Sequence, residues 1–236
     1  GMTVSFCSLT SWGTEPSITY VEEEGILSVL RGKAFRNANQ TIYVDNDNIL
    51  AGREATQYLI DLGHRRIACM MGDHSLLFAG DRRSGYMLAL AENGIPFQKD
   101  YCLEIPFTPG TKNEAVRALL SRPDRPTAML VSDDILASFL EGQCREMGIS
   151  VPGELSIISF NNSLFSLLTP PPLTTVDLNS LQLGIDAASQ MISHIEHPNL
   201  IATTTILPHH LMVSGTRAPP RRYSPASVRS SSVPFF

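Results

Sequence analysis

The 236-residue chain carries a net charge of −5, with 43% hydrophobic and 17% charged residues. That balance excludes an intrinsically disordered chain, a coiled coil and a collagen-like fibre. No apolar run approaches the roughly 18 residues of a spanning helix. The charge is unevenly spread. The last twenty residues hold Arg217, Arg221, Arg222 and Arg229 and no acid, a local +4 that leaves −9 for the remainder. An acidic globule of this kind is poorly suited to gripping nucleic acid by itself. The start, GMTVSFCSLTSWG, has neither a basic region nor a long apolar core, so no secretory signal is expected there. Cys7, Cys69, Cys102 and Cys144 form no CxxC pair and read as free thiols of a reducing cytoplasm.

In chain order, short apolar runs alternate with helical periods. Strands are expected at 26–30 and 41–44. Residues 48–62 repeat apolar positions three and four apart and stop at Gly63, which predicts a helix. A strand at 67–71 and a helix at 81–92 follow, then a short strand at 101–105. Thr111 and Glu114 have capping-box spacing and open a helix to Leu120. Next come a strand at 127–131, a helix at 133–147 and a strand at 155–160. After a Pro-rich loop, 173–176 reads as extended. Residues 179–195 read as a helix with Leu181, Ile185, Ala188, Ile192 and Ile195 on one stripe. Strands close the pattern at 203–207 and 211–213. Continuous apolar strands separated by amphipathic helices predict a doubly wound α/β fold with parallel sheets. From residue 217 onward the chain is rich in Pro, Ser and Arg, lacks an apolar period and is expected to be disordered.

Enzyme signatures are missing: there is no GxSxG, GxxxxGK[ST] or strand-borne GxGxxG. No cofactor, metal or catalytic residue is expected. His194 and His197 lie three apart near a helix end, where a histidine is also favoured by the helix dipole. Three polar positions stand out by placement. In open α/β sheets, ligands bind beyond the carboxyl ends of strands. Asp133 and Asp134 follow the strand ending at Val131, Asn161 and Asn162 follow Phe160, and Arg82 and Arg83 open a helix after Met71. A fork of donors, an acceptor and an amide are the partners that neighbouring sugar hydroxyls need. Asp133 reads equally as a helix N-cap and Asn161–Asn162 as a turn.

At these residues the sequence resembles the effector-binding domain of the lactose-repressor (LacI/GalR) family of bacterial transcription regulators. The matching stretches are VDNDNILAGREATQYLIDLGHRRIACMMG, DRRSGYMLAL, RPTAMLVSDDILA, MGISVPGELSIISFNN and PPPLTTVDLNSLQLGIDAA, in the family's order. The resemblance implies a two-lobed periplasmic-binding-protein-like (type I) fold with an incomplete N-terminal lobe. Residues 1–66 would be that partial lobe, 67–213 mainly the C-terminal effector-binding lobe with crossovers, and 214–236 a disordered tail. Strands 26–30 and 41–44 would lack neighbours on one side. By position, Arg82, Asp133 and Asn161 match sugar-contacting residues, and Phe107 falls near an aromatic that stacks on the sugar ring. VDNDN and SIISFNNSLF look most like repressors of maltose genes. The implied partners are a sugar effector, a second copy of the chain, and operator DNA reached only through a helix-turn-helix domain that this sequence lacks. A cytoplasmic location and no membrane contact go with that reading. A sugar solute-binding protein of a transporter, which shares the fold, is the alternative.

Overall fold

Three runs with almost no polar side chains, Ile67–Met71, Ala128–Val131 and Ser156–Phe160, are buried along their whole length. Strands buried on both faces belong in the middle of a covered parallel sheet, and a computed structural model places them there. It describes residues 5–8, 27–31, 41–72, 76–105 and 112–220. The described strands are β1 (Ser5–Ser8), β2 (Leu27–Arg31), β3 (Ile42–Asn46), β4 (Ile67–Met71), β5 (Cys102–Glu104), β6 (Ala128–Val131), β7 (Ser156–Phe160), β8 (Thr174–Asp177), β9 (Thr204–Leu207) and β10 (His210–Met212). The described α-helices are α1 (Asn48–Asp61), α2 (Leu77–Glu92), α3 (Lys112–Leu120), α4 (Asp134–Glu146), α5 (Leu164–Leu168) and α6 (Ser180–Glu196).

Two sheets result. The larger runs β10-β8-β7-β6-β4-β5, parallel except for β10, which is antiparallel to β8. The smaller runs β1-β2-β3-β9, all parallel. Alternation along the central strands divides the larger core. Ile67, Cys69 and Met71 face α1 and α2 with Leu59, Tyr86 and Leu90, while Ala68 and Met70 face α3 and α4 with Val116, Leu119 and Leu140. In the smaller core Val29, Ile42 and Val44 pack on Leu183 and Ala187 of α6.

Several expectations change. The helix 48–61 packs on the larger sheet, so the passage between lobes falls at Asp47 rather than after residue 66. Strands β2 and β3 have neighbours on both sides, because β1 pairs with β2 and β9 with β3. Residues 214–220 are held in place. Thr216 is fully buried; its hydroxyl donates to the Ile157 carbonyl (2.7 Å) and accepts from Thr174 N–H (2.8 Å). Ala218 accepts from the Ser156 hydroxyl at 2.9 Å. It also meets His64 Nε2 at 2.8 Å. A carbonyl can only accept, so that nitrogen carries the proton and Nδ1 accepts from Thr127 at 2.9 Å. Burial lowers the His64 pKa, in keeping with a neutral ring. The rest of the expected tail, 221–236, lies outside the described residues. Helix α6 turns its other apolar side inward: Leu183 and Ala187 are buried, whereas Leu181, Ile185, Ile192 and Ile195 of the expected stripe are exposed. Both sides are apolar, so periodicity alone does not choose between them.

Chain segments pass between the sheets three times: after β3, after β8 and after β9. Asn46, the last residue of β3, ties these passages together. Its amide donates to the carbonyls of Leu178 (3.0 Å) and Leu207 (3.1 Å), one on each of the other two. Asn179 adds a bond to the Pro208 carbonyl at 2.7 Å.

Helices α1 and α2 touch backbone to backbone. A Cβ on Gly85 would stand 2.1 Å from the Ile49 carbonyl oxygen, and one on Gly52 would stand 2.3 Å from that of Arg82. Alanine is intrinsically better than glycine inside a helix by about 1 kcal/mol. Gly85→Ala is nonetheless expected to lower stability by about 1–3 kcal/mol, because only rigid backbone could yield. Urea unfolding checks the sign: a raised or unchanged midpoint would show that the two helices are not pressed together.

Candidate functional site

The site is built around Arg82. Its place in the first turns of α2 is set by the glycine contact, which lays α1 against the Arg82 backbone. The side chain is 4% exposed. A buried guanidinium needs partners for its donors. Nε donates to Asn48 Oδ1 at 3.0 Å and Nη1 to the Ser132 carbonyl at 2.7 Å. The planar group sits among aromatic rings, 4.7 Å from the Phe78 centroid and 4.3 Å from that of Phe160. Asn48 in turn donates to Asp45 Oδ1 (3.2 Å) and to the Asn46 carbonyl (3.3 Å). Burial raises the Asp45 pKa, while the Asn46 N–H and the charge of Arg82 pull it the other way. A continuous polar chain therefore runs from the end of β3 in the smaller sheet to the end of β6 in the larger.

Arg82 reaches the chain at the two strand ends that carry Asp133 and Asn161. Arg82 bonds to the residue before Asp133 and stacks on the residue before Asn161. Asp133 is the N-cap of α4: Oδ1 accepts from Leu136 N–H at 2.8 Å, and Oδ2 from the Ser132 hydroxyl at 3.0 Å. Asn161 has φ +104, and its N–H donates to the Val176 carbonyl at 2.8 Å. Its half-buried side chain has no hydrogen bond among the described residues. Phe107 lies outside the described residues. The neighbours of the named residues do different work. Asp134 is wholly buried and accepts from Ser159, Thr175 and both the N–H and hydroxyl of Ser163, between 2.6 and 2.8 Å, which fixes β7, β8 and the start of α5. Asn162 donates to Asp177 at 3.0 Å. Asp45, Asn48, Phe78 and Phe160, which hold Arg82, were not singled out by residue type. The sequence signal for the first two was their place in VDNDN, directly after a strand.

The pattern defining the periplasmic binding protein-like domain matches residues 56–216. The chain belongs to the periplasmic binding protein-like domain family. Within it, the chain has the form of the effector-binding domain of LacI-type transcriptional regulators. It is 30% identical over 181 residues to the HTH-type transcriptional repressor CytR of Escherichia coli (strain K12), covering 76% of this chain and 52% of that protein. It is 35% identical over 140 residues to the HTH-type transcriptional regulator DegA of Bacillus subtilis (strain 168), covering 59% and 41%. The crystal structure of a LacI transcriptional regulator from Bacillus cereus subsp. cytotoxis NVH 391-98 superimposes with a TM-score of 0.86 at 36% identity, covering 91% of this chain and 76% of that one. The CelR–cellobiose complex gives 0.82 at 28% identity, covering 90% and 65%. The chain spans about half the length of the curated relatives it matches. These relatives are transcriptional regulators.

Other polar groups of this periplasmic binding protein-like domain lie apart from the Arg82 cluster. His194 is buried with Nδ1 at 3.0 Å from the Gln190 carbonyl, and His209 meets Glu54 at 2.8 Å. No group of three potential metal ligands occurs among the described residues. Nor is any described helix long and apolar enough to cross a membrane. Glu141 on α4 is 5% exposed, and neither carboxyl oxygen has a hydrogen-bond partner among the described residues. The nearby Thr169 hydroxyl donates instead to the Pro171 carbonyl at 3.0 Å. Burial pushes the Glu141 pKa up to about 7 from 4.5, outweighing the pulls of Thr169 and Arg145. Between those values the native chain holds a proton that the unfolded chain has released. Stability therefore falls as pH rises through that window and levels off above it, by about 3 kcal/mol in all. Glu141→Gln is expected to remove this slope and to raise stability at pH 8. Urea unfolding at pH 5 and pH 8 checks it, and a slope that survives the substitution would assign the effect elsewhere.

Proposed function

We propose that this domain is the sugar-sensing part of a cytoplasmic LacI-type transcription regulator and that its effector is maltose or a short maltooligosaccharide. The observation that carries the reading is the convergence of Arg82, Asp133 and Asn161 at the carboxyl ends of β6 and β7, beside the passages between the two sheets. The guanidinium supplies donors, the Asp133 carboxylate accepts, and the Asn161 amide does both, which suits vicinal hydroxyls. Phe107 is proposed as the aromatic that meets the sugar face. That a related regulator, CelR, forms a complex with cellobiose supports a glucose disaccharide as the ligand class. A sugar held between the sheets would bias their relative position, because the same polar chain joins Arg82 to the end of β3. In the intact regulator that shift would reach operator DNA through a helix-turn-helix domain.

Calorimetry with maltose, and with cellobiose for comparison, tests the assignment. Asn161→Ala is expected to weaken binding about tenfold, the loss of one or two neutral hydrogen bonds. Arg82→Ala is expected to abolish it. Asp133→Asn keeps the N-cap and separates loss of the sugar contact from loss of the helix start. Unchanged affinity in both Asn161→Ala and Asp133→Asn would remove these residues from the site. Heat that appears only with cellobiose would replace maltose while keeping the crevice.

The domain is also proposed to pair with a second copy of itself. On α5, Leu164, Phe165, Leu167 and Leu168 are each at least half exposed, a cluster of apolar surface that a lone soluble domain rarely carries. A two-fold pair is the commonest way to cover such a patch. Sedimentation is expected to show a dimer that the double change Leu167→Glu, Leu168→Glu converts to a folded monomer. A wild-type monomer at micromolar concentration would reject the pairing.

A further inference from the structure

Cys69, Cys102 and Cys144 are free thiols, yet two of them touch. Cys69 on β4 and Cys102 on β5 are register partners on adjacent parallel strands, and their sulfurs are 3.2 Å apart. Adjacent strands stand about 4.7–4.9 Å apart, inside the Cα separation of roughly 4.4–6.8 Å that a disulfide requires. The sulfurs need to approach only to about 2.05 Å. One side of the pair can give: β5 is a three-residue strand at the sheet edge, paired only to β4 among the described residues.

From this geometry we propose that Cys69 and Cys102 form a dithiol modification site, separate from the sugar crevice, that hydrogen peroxide closes to an intrachain disulfide. The two cysteines have unequal roles. Cys69 is buried and donates its S–H to Cys102, which is half-buried at the edge. Arg83 lies beside Cys102 and is held by Glu104, Nη1 to Oε1 at 2.7 Å. The bond from Cys69 and the guanidinium favour the Cys102 thiolate and lower its pKa, against burial and the Glu104 charge. Giving that hydrogen bond, together with burial, keeps Cys69 protonated. Cys102 is therefore the attacking sulfur and Cys69 the resolving one.

The chemistry balances. The Cys102 thiolate attacks one peroxide oxygen and the O–O bond breaks, giving a sulfenic acid and hydroxide, which takes up a proton as water. The Cys69 sulfur then attacks the sulfenyl sulfur. The S–O bond breaks, and the departing hydroxyl leaves with the Cys69 proton as a second water. Two thiols are oxidised to one disulfide while one peroxide is reduced to two waters. Cys144 serves as an internal control: it is fully buried, and burial pushes its pKa up to about 12.

The test uses the full reduced chain and hydrogen peroxide near stoichiometry. Remaining thiols are then labelled with N-ethylmaleimide in denaturant, followed by trypsin and mass spectrometry. The expected product joins peptides 67–82 and 100–112, is two hydrogens lighter than their sum and is lost on treatment with dithiothreitol. Cys144 should stay available to maleimide. Cys102→Ser should yield no linked peptide. Phenylarsine oxide, which needs two neighbouring thiols, should, once bound to the folded wild-type chain, shield Cys69 and Cys102 together from maleimide added afterwards in denaturant. Maleimide on both cysteines after peroxide, sulfinic acid at Cys102 while Cys69 stays reduced, or a disulfide from Cys102 to any other cysteine would overturn the proposal.

Discussion

A guanidinium taken out of water must be surrounded by acceptors and polarisable faces, and meeting that requirement at Arg82 organises the strand ends around it. No single element supplies enough. Asn48 comes from α1, the Ser132 carbonyl from the end of β6, Phe160 from the end of β7, and Phe78 from the preceding turn of α2. Four separate stretches of chain must be in place before this charge is stable inside the protein. The side chain thus brings the strand ends together. The arrangement of the strand ends around Arg82 is therefore set by the fold itself.

The sequence was most readable where one physical requirement acted alone. The runs at 67–71, 127–131 and 155–160 had no polar side to turn outward, so they could only be covered parallel strands. Their ends then marked Asp133 and Asn161 without any structure. Two kinds of information were not written locally. Asp133 and Asp134 are the same residue type one position apart, yet one caps α4 and the other is enclosed by four donors from β7, β8 and the start of α5. Those donors are distant in sequence. Likewise the amphipathic pattern of 48–61 predicts a helix but not which sheet it will cover. Two glycines, Gly52 and Gly85, decide that by letting α1 lie against α2. Helix α6 makes the same point with its two apolar sides, since the strands it meets select Leu183 and Ala187.

Polar bonds tie the passages between the sheets to one another. Asn46 offers one amide group to two carbonyls on two other passages. Hydrogen bonds of this kind are directional but individually modest, unlike the apolar packing inside each sheet's core. A boundary held this way resists separation while tolerating small rotations.

The pairing of β3 with β9 has a consequence for how the molecule is made. Asn46 and Leu207, which meet across that pairing, are 161 residues apart. Nearly all of the larger sheet lies between them in the chain. As the ribosome delivers the polypeptide, the larger lobe has its central strands and both helical layers before β9 exists. The smaller sheet must wait with β3 open on one edge. Contacts of such long range form late and slowly. The smaller sheet therefore closes late, on the central strands of its neighbour, and, among the described residues, only β10 and the segment through Ala218 of the larger half follow β9 in the chain.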